Sequence, residues 1–140
     1  MAGELAGKKV LLVDDDRDIM AAMQTAMEEL GPQILIACDG NSAIEQATSA
    51  HPDLVVLDMM LPKRSGFLVM ENLKKGKKRT DPPRVIMITG NQGARHKVYA
   101  ESLGVDVYLN KPFRMEKLLD AVKKLLLTAP AAPAAEQAKP

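Results

Sequence analysis

Five short apolar runs recur along this chain, and their spacing leaves few folds open. They are Val10-Leu11-Leu12-Val13, Ile34-Leu35-Ile36-Ala37-Cys38, Leu54-Val55-Val56-Leu57, Val85-Ile86-Met87-Ile88 and the more alternating Val105-Asp106-Val107-Tyr108-Leu109. Continuous, β-branched runs of this length fit strands covered on both faces, as in a parallel sheet. Between them lie helix-period segments. Ile19, Met23, Ala26 and Leu30 repeat at helical spacing, and Gly31-Pro32 stops that helix. Asp39 is placed to cap a second helix reaching about Ala50, which Pro52 ends. Ser65 is placed to cap a third, with Phe67, Met70 and Leu73 on one face. A fourth is expected from Gln92 to Leu103, closed by Gly104, and a fifth from Met115 to Leu127. Its Leu118, Leu119, Val122, Leu125 and Leu126 point inward. Strand and helix alternating five times predict βαβ units with right-handed crossovers. The expected fold is α/β: a doubly wound, five-stranded parallel sheet, flavodoxin-like with order 2-1-3-4-5, flanked by five helices.

At 140 residues the chain suits one domain with a core of its own. Residues 1–8 read as an N-terminal tail, and 129–140, rich in alanine and proline, as a disordered one. A net charge of +1 gives no global field toward nucleic acid or a membrane surface. No stretch approaches the ~20 apolar residues of a membrane span, and nothing resembles a secretory signal, so a cytoplasmic location is expected. Cys38 is the only cysteine, which excludes an internal disulfide and a multi-cysteine zinc site.

Open parallel sheets carry their chemistry at the carboxyl ends of strands, where strand order reverses. Four of the five runs end in reactive polar residues: Asp14 and Asp15, Asp58, Thr89 and Lys111. In a 2-1-3-4-5 sheet the first and third strands are neighbours, so Asp14, Asp15 and Asp58 converge. Two carboxylates ~5 Å apart repel by on the order of 3 kcal/mol at an effective dielectric of about 20. Such a cluster persists where a cation resides or protons are shared. Oxygen donors without soft ligands suit a hard divalent ion, Mg²⁺ before others. Lys111 adds positive charge and Thr89 a hydroxyl. Together these make a pocket for phosphoryl transfer.

These residues resemble the receiver domains of bacterial response regulators, of the single-domain chemotaxis or phosphorelay type. The motifs are Val13-Asp14-Asp15, Leu57-Asp58-Met59-Met60-Leu61-Pro62 with Gly66, Thr89-Gly90, and Lys111-Pro112-Phe113, over a domain expected to span residues 9–128. The resemblance implies that Asp58 is the phosphoacceptor of two-component signalling. It implies Mg²⁺ on Asp15, Asp58 and the Met60 backbone carbonyl, with Asp14 acting through water. Lys111 would pair with the phosphoryl group before a cis bond to Pro112, while Thr89 and Tyr108 would act as the switch. The implied partners are a sensor histidine kinase or phosphotransfer protein and an unidentified protein target. That target would dock on the face formed by the fourth helix, fifth strand and fifth helix, with the chain monomeric or dimerising on phosphorylation. No direct contact with nucleic acid or membrane is implied. Phosphorylation would shift a population between two arrangements, a signalling switch rather than an enzyme.

Asp16 extends the acidic run, so the metal pair is set by register from Val13. Among other residues, Cys38 reads as a buried small hydrophobe and Met20, Met23 and Met27 as core filler. The Lys74–Arg79 run reads as a solvated loop, and His51 and His96 lack ligand partners. A phosphatase of the haloacid-dehalogenase type needs an acid where Met60 stands. A flavodoxin-like FMN carrier needs a phosphate loop where Asp14–Asp16 would repel phosphate. A receiver fold that works without phosphorylation would have lost site residues, and all five positions are intact.

Overall fold

The computed structural model describes residues 3–61, 65–78, 81–90 and 94–127. Its elements alternate as expected: β1 (Lys9–Val13), α1 (Arg17–Glu28), β2 (Gln33–Ala37), α2 (Gly40–Ala50), β3 (Leu54–Asp58), α3 (Gly66–Lys74), β4 (Arg84–Thr89), α4 (Ala94–Ser102), β5 (Val107–Asn110) and α5 (Met115–Leu127). All strands pair in parallel in the order β2-β1-β3-β4-β5. The reversal falls between β1 and β3, whose register matches Val10 with Leu54 and Val13 with Leu57.

The alternation of strand side chains divides the core in two. Val10, Leu12, Leu54, Val56, Ile86 and Ile88 face α1 and α5, meeting Met20, Met23, Met27, Leu118 and Val122. Leu11, Val13, Val55, Leu57, Val85 and Met87 face α2, α3 and α4, meeting Ala43, Val69, Met70 and Ala100. Strands buried on both faces cannot show period-two polarity, which is why they read as unbroken apolar runs.

Helix ends follow local chemistry. The Asp39 carboxylate accepts from Ser42 N–H at 2.8 Å and the Ser65 hydroxyl from Leu68 N–H at 3.4 Å, the two expected caps. His51 closes α2 in the left-handed region at φ 51°, and Lys9 Nζ donates to the freed Ala50 carbonyl at 3.0 Å. Gly104, at φ 104°, turns the chain after α4. Residues 91–93, where the fourth helix was expected to begin, lie outside the described residues, as do 128–140.

Four expectations change. Of the Ile19, Met23, Ala26 and Leu30 stripe expected on α1 only Met23 is fully buried, beside the Met20 and Met27 expected as core filler; Ile19 and Ala26 are partly buried, and Leu30 lies beyond the helix end at Glu28. The expected N-terminal tail is docked: Leu5 is fully buried in the α1–α5 core, and its N–H donates to the Leu30 carbonyl at 2.8 Å. Cys38 is exposed, since the edge strand ends one residue earlier at the buried Ala37. Lys74 belongs to α3 rather than to a solvated loop. Its stem packs beside Gly104, and its ammonium donates to the Asp81 carbonyl at 2.7 Å.

Candidate functional site

The same alternation builds the site. Asp14, Asp58 and Lys111 continue the α1/α5-facing rows of β1, β3 and β5, Asp58 as the last residue of its strand and the other two one residue beyond theirs, whereas Thr89 and Tyr108 continue the opposite rows of β4 and β5. Lys111 Nζ lies 3.2 Å from Asp14 Oδ2 and 3.5 Å from Asp58 Oδ2. Carboxylate oxygens of Asp14, Asp15 and Asp58 all fall within 4.8 Å of one another. Asp14 and Asp58 are buried and Asp15 is exposed. The cluster thus meets solvent through Asp15.

Backbone groups fix these carboxylates. Asp16 N–H donates to Asp14 Oδ1 at 2.8 Å and Met60 N–H to Asp58 Oδ1 at 3.2 Å. Asp16 itself is the N-cap of α1, accepting from Asp18 and Ile19 N–H, which resolves the triple acidic run: the third acid serves the helix. Gly66 lets α3 abut β3, its N–H donating to the Met59 carbonyl at 2.8 Å. A Cβ at Gly66 would sit 2.6 Å from Met59 Cα and 2.8 Å from the Asp58 carbonyl oxygen. Sequence reasoning placed Gly66 in a motif but gave it no role; only the close approach of two backbones supplies one.

Burial, then repulsion from Asp14, pushes the Asp58 carboxyl up to about 6, against the pull of Met60 N–H and Lys111. Burial draws Lys111 down, but Asp58 and Asp14 outweigh it and hold the ammonium above its ordinary value. Thr89 is fully buried and its side chain hydrogen-bonds with the Tyr108 phenol; burial raises that phenol despite the Thr89 contact. The Lys111–Pro112 peptide is cis. Met60 carries an exposed side chain beside the cluster. All the expected site residues therefore gather at one end of the sheet.

Among the described residues, Asp14 Oδ2 is buried with no hydrogen-bond donor aligned on it, although Lys111 supplies charge nearby. A buried carboxylate oxygen with no aligned donor, beside two further carboxylates, is what a hard divalent cation satisfies, so this donor set fits Mg²⁺.

Residues 10–123 match the response regulator receiver domain family. The chain belongs to that family. Receivers of this kind serve two-component systems, acting as signalling switches and interacting with histidine kinases or phosphotransfer proteins. This receiver is 36% identical over 130 residues to the alkaline phosphatase synthesis transcriptional regulatory protein PhoP of Bacillus subtilis, covering 92% of the chain and 53% of that protein. It is 32% identical to Protein PilG of Pseudomonas aeruginosa, covering 84% of the chain and 86% of PilG. The chain thus spans about half of the first relative and most of the second. A CheY-like receiver domain protein from Methanospirillum hungatei superposes with a TM-score of 0.78 at 27% identity, covering 85% of this chain and 93% of that one. No helix among the described residues is long and apolar enough to cross a membrane.

Proposed function

We propose that this receiver accepts a phosphoryl group on Asp58 in a Mg²⁺-dependent reaction and so changes which protein it binds. The observation that carries the proposal is Lys111 Nζ held between Asp14 and Asp58, 3.2 and 3.5 Å away, at the mouth of a three-carboxylate cluster. Asp14, Asp15, Asp58 and the Met60 carbonyl would hold Mg²⁺, with Asp14 acting through water. The bound ion would neutralise charge on the phosphoryl oxygens. An Asp58 carboxylate oxygen attacks phosphorus while the bond from phosphorus to the donor nitrogen of a phosphohistidine breaks; with the other ring nitrogen of that histidine protonated, the electron pair returns to the ring and leaves an acyl phosphate and a neutral imidazole. Lys111 leaves its carboxylate partners to pair with a phosphoryl oxygen. The Thr89 hydroxyl turns toward that oxygen, giving up its contact with Tyr108, whose ring then moves inward. The phosphoform is a population shift expressed on the face of α4, β5 and α5.

The donor is a sensor histidine kinase or phosphotransfer protein, and the output a protein target, the receiver being monomeric or dimerising when phosphorylated. Incubation with Mg²⁺ and a phosphoramidate donor, followed by mass spectrometry, tests the chemistry. One phosphoryl mass is expected on wild type, and none on Asp58→Asn or without Mg²⁺. Equal labelling of Asp58→Asn would place the acceptor elsewhere.

A further inference from the structure

At the end of the sheet opposite the acidic cluster, a cavity of about 190 Å³ opens between the C-terminal ends of α2 and α3. The buried Leu73 and Pro83 form its floor; the exposed Thr48, His51, Asn72 and Lys77 stand around its rim. No acidic side chain lines it. The Thr48 hydroxyl donates into its own helix, to the Ile44 carbonyl at 2.8 Å. Lys77 Nζ spends one of its three protons on the Pro82 carbonyl at 3.3 Å. Among the described residues, the His51 imidazole and Asn72 amide meet no hydrogen-bonding side chain or backbone group. Nearby Asp81 is already engaged, its carboxylate by Lys78 N–H at 2.9 Å and its carbonyl by Lys74. Lys75 and Lys78 are exposed in the turn that carries Lys77.

We propose that this cavity takes a carboxylate on a short methylene stem, presented by a glutamate-rich segment of a partner protein. The methylenes cover Leu73 and Pro83, and the carboxylate accepts from Lys77, Asn72 and His51. A single bound carboxylate uses only the cavity. Neighbouring acids of a peptide also reach Lys75 and Lys78, so the surface favours a segment over a free small molecule. Nucleic acid is the poorer fit, because no aromatic ring stands at the rim to stack a base and an apolar floor gains nothing from phosphate. The site lies away from Asp58, and the proposal stands whether or not Asp58 is phosphorylated.

Amide NMR titrations of the whole chain with a glutamate-rich hexapeptide, with glutarate and with oligo-uridylate test it. Both carboxylates are expected to shift the amides of His51, Asn72, Leu73 and Lys77. The peptide should bind about tenfold more tightly than glutarate at low salt, and that advantage should fade as salt is added. Lys77→Glu should abolish the shifts. Asn72→Asp should do the same, so that a folding defect in one variant does not decide the matter. Absence of shifts at these amides would overturn the proposal. So would shifts that survive both substitutions, glutarate matching the peptide, or oligo-uridylate displacing it.

Discussion

Asp58 carries its charge against burial and the neighbouring Asp14, and its pKa accordingly rises from 3.8 to about 6. The folded state then binds more protons than the unfolded state between those values. The stability this group contributes is present below the unfolded value and lost as pH rises through about 6. Ionised Asp58 therefore weakens the metal-free fold at neutral pH. Asp58→Asn should raise the metal-free thermal midpoint at neutral pH, with the gain fading as pH is lowered toward the unfolded pKa. Thermal melts across that range check it, and a gain independent of pH would contradict it. Mg²⁺ should stabilise wild type by mass action and Asp58→Asn far less. Lys111→Met should act in the opposite direction, removing a cation that lies within 4 Å of both buried carboxylates and lowering the midpoint at neutral pH. A midpoint unchanged or raised would show that the lysine does not hold the cluster.

At the scale of elements, two contacts carry the connection between site and scaffold. Gly66→Ala would place a methyl 2.6 Å from Met59 Cα, a backbone neighbour that cannot swing aside. The expected cost is about 1–3 kcal/mol, read by urea unfolding, with weaker Mg²⁺ binding because the end of β3 carries Asp58. Leu5→Ala should cost about 2–5 kcal/mol, since Leu5 is fully buried among α1, α5 and the sheet. A loss well below 1 kcal/mol would mean that the segment is a tail after all. Which of these features the sequence reveals follows from how each is encoded. The strands are legible because double burial writes itself as unbroken apolar runs, and the helix caps because Asp39 and Ser65 stand directly before periodic stretches. Leu5 is not legible: one leucine has no period. Nor is the exposure of Cys38, because an apolar run does not say that its strand lies at the sheet edge or that the strand ends at Ala37. The site reads well because parallel topology confines polar chemistry to strand ends. The division of labour among three successive aspartates does not, since only backbone geometry makes Asp16 a helix cap and aims its N–H at Asp14.

Across the whole molecule, the two ends of the sheet hold different charge clusters, mainly acidic at one and mixed at the other. Opposite the acidic site, Asp106 accepts from Val85 N–H at 2.8 Å and pairs with Arg84 at 3.0 Å, beside Lys74. Burial, helped by Arg84 and Lys77 and opposed by Asp106 and Asp81, brings Lys74 from 10.5 down to about 8. Between those values the unfolded chain binds more protons, so this group makes stability rise with pH from about 8 toward 10.5. Lys74→Met should lose that rise, so the stability difference between wild type and variant should grow in favour of wild type from about pH 8 upward, and a difference constant with pH would contradict it. At the acidic end, Thr89 and Tyr108 lie on adjacent strands and touch, so the proposed displacement of Thr89 toward Asp58 would reach β5 through that contact. The most direct measurement is an amide NMR spectrum with Mg²⁺ before and after beryllofluoride, an aspartyl-phosphate mimic, with Asp58→Asn alongside. Shifts are expected at Asp58, Thr89, Tyr108 and Lys111 in wild type alone. Mg²⁺ binding with no beryllofluoride shift would contradict it, and would leave a receiver fold that binds its partners without a phosphoryl switch.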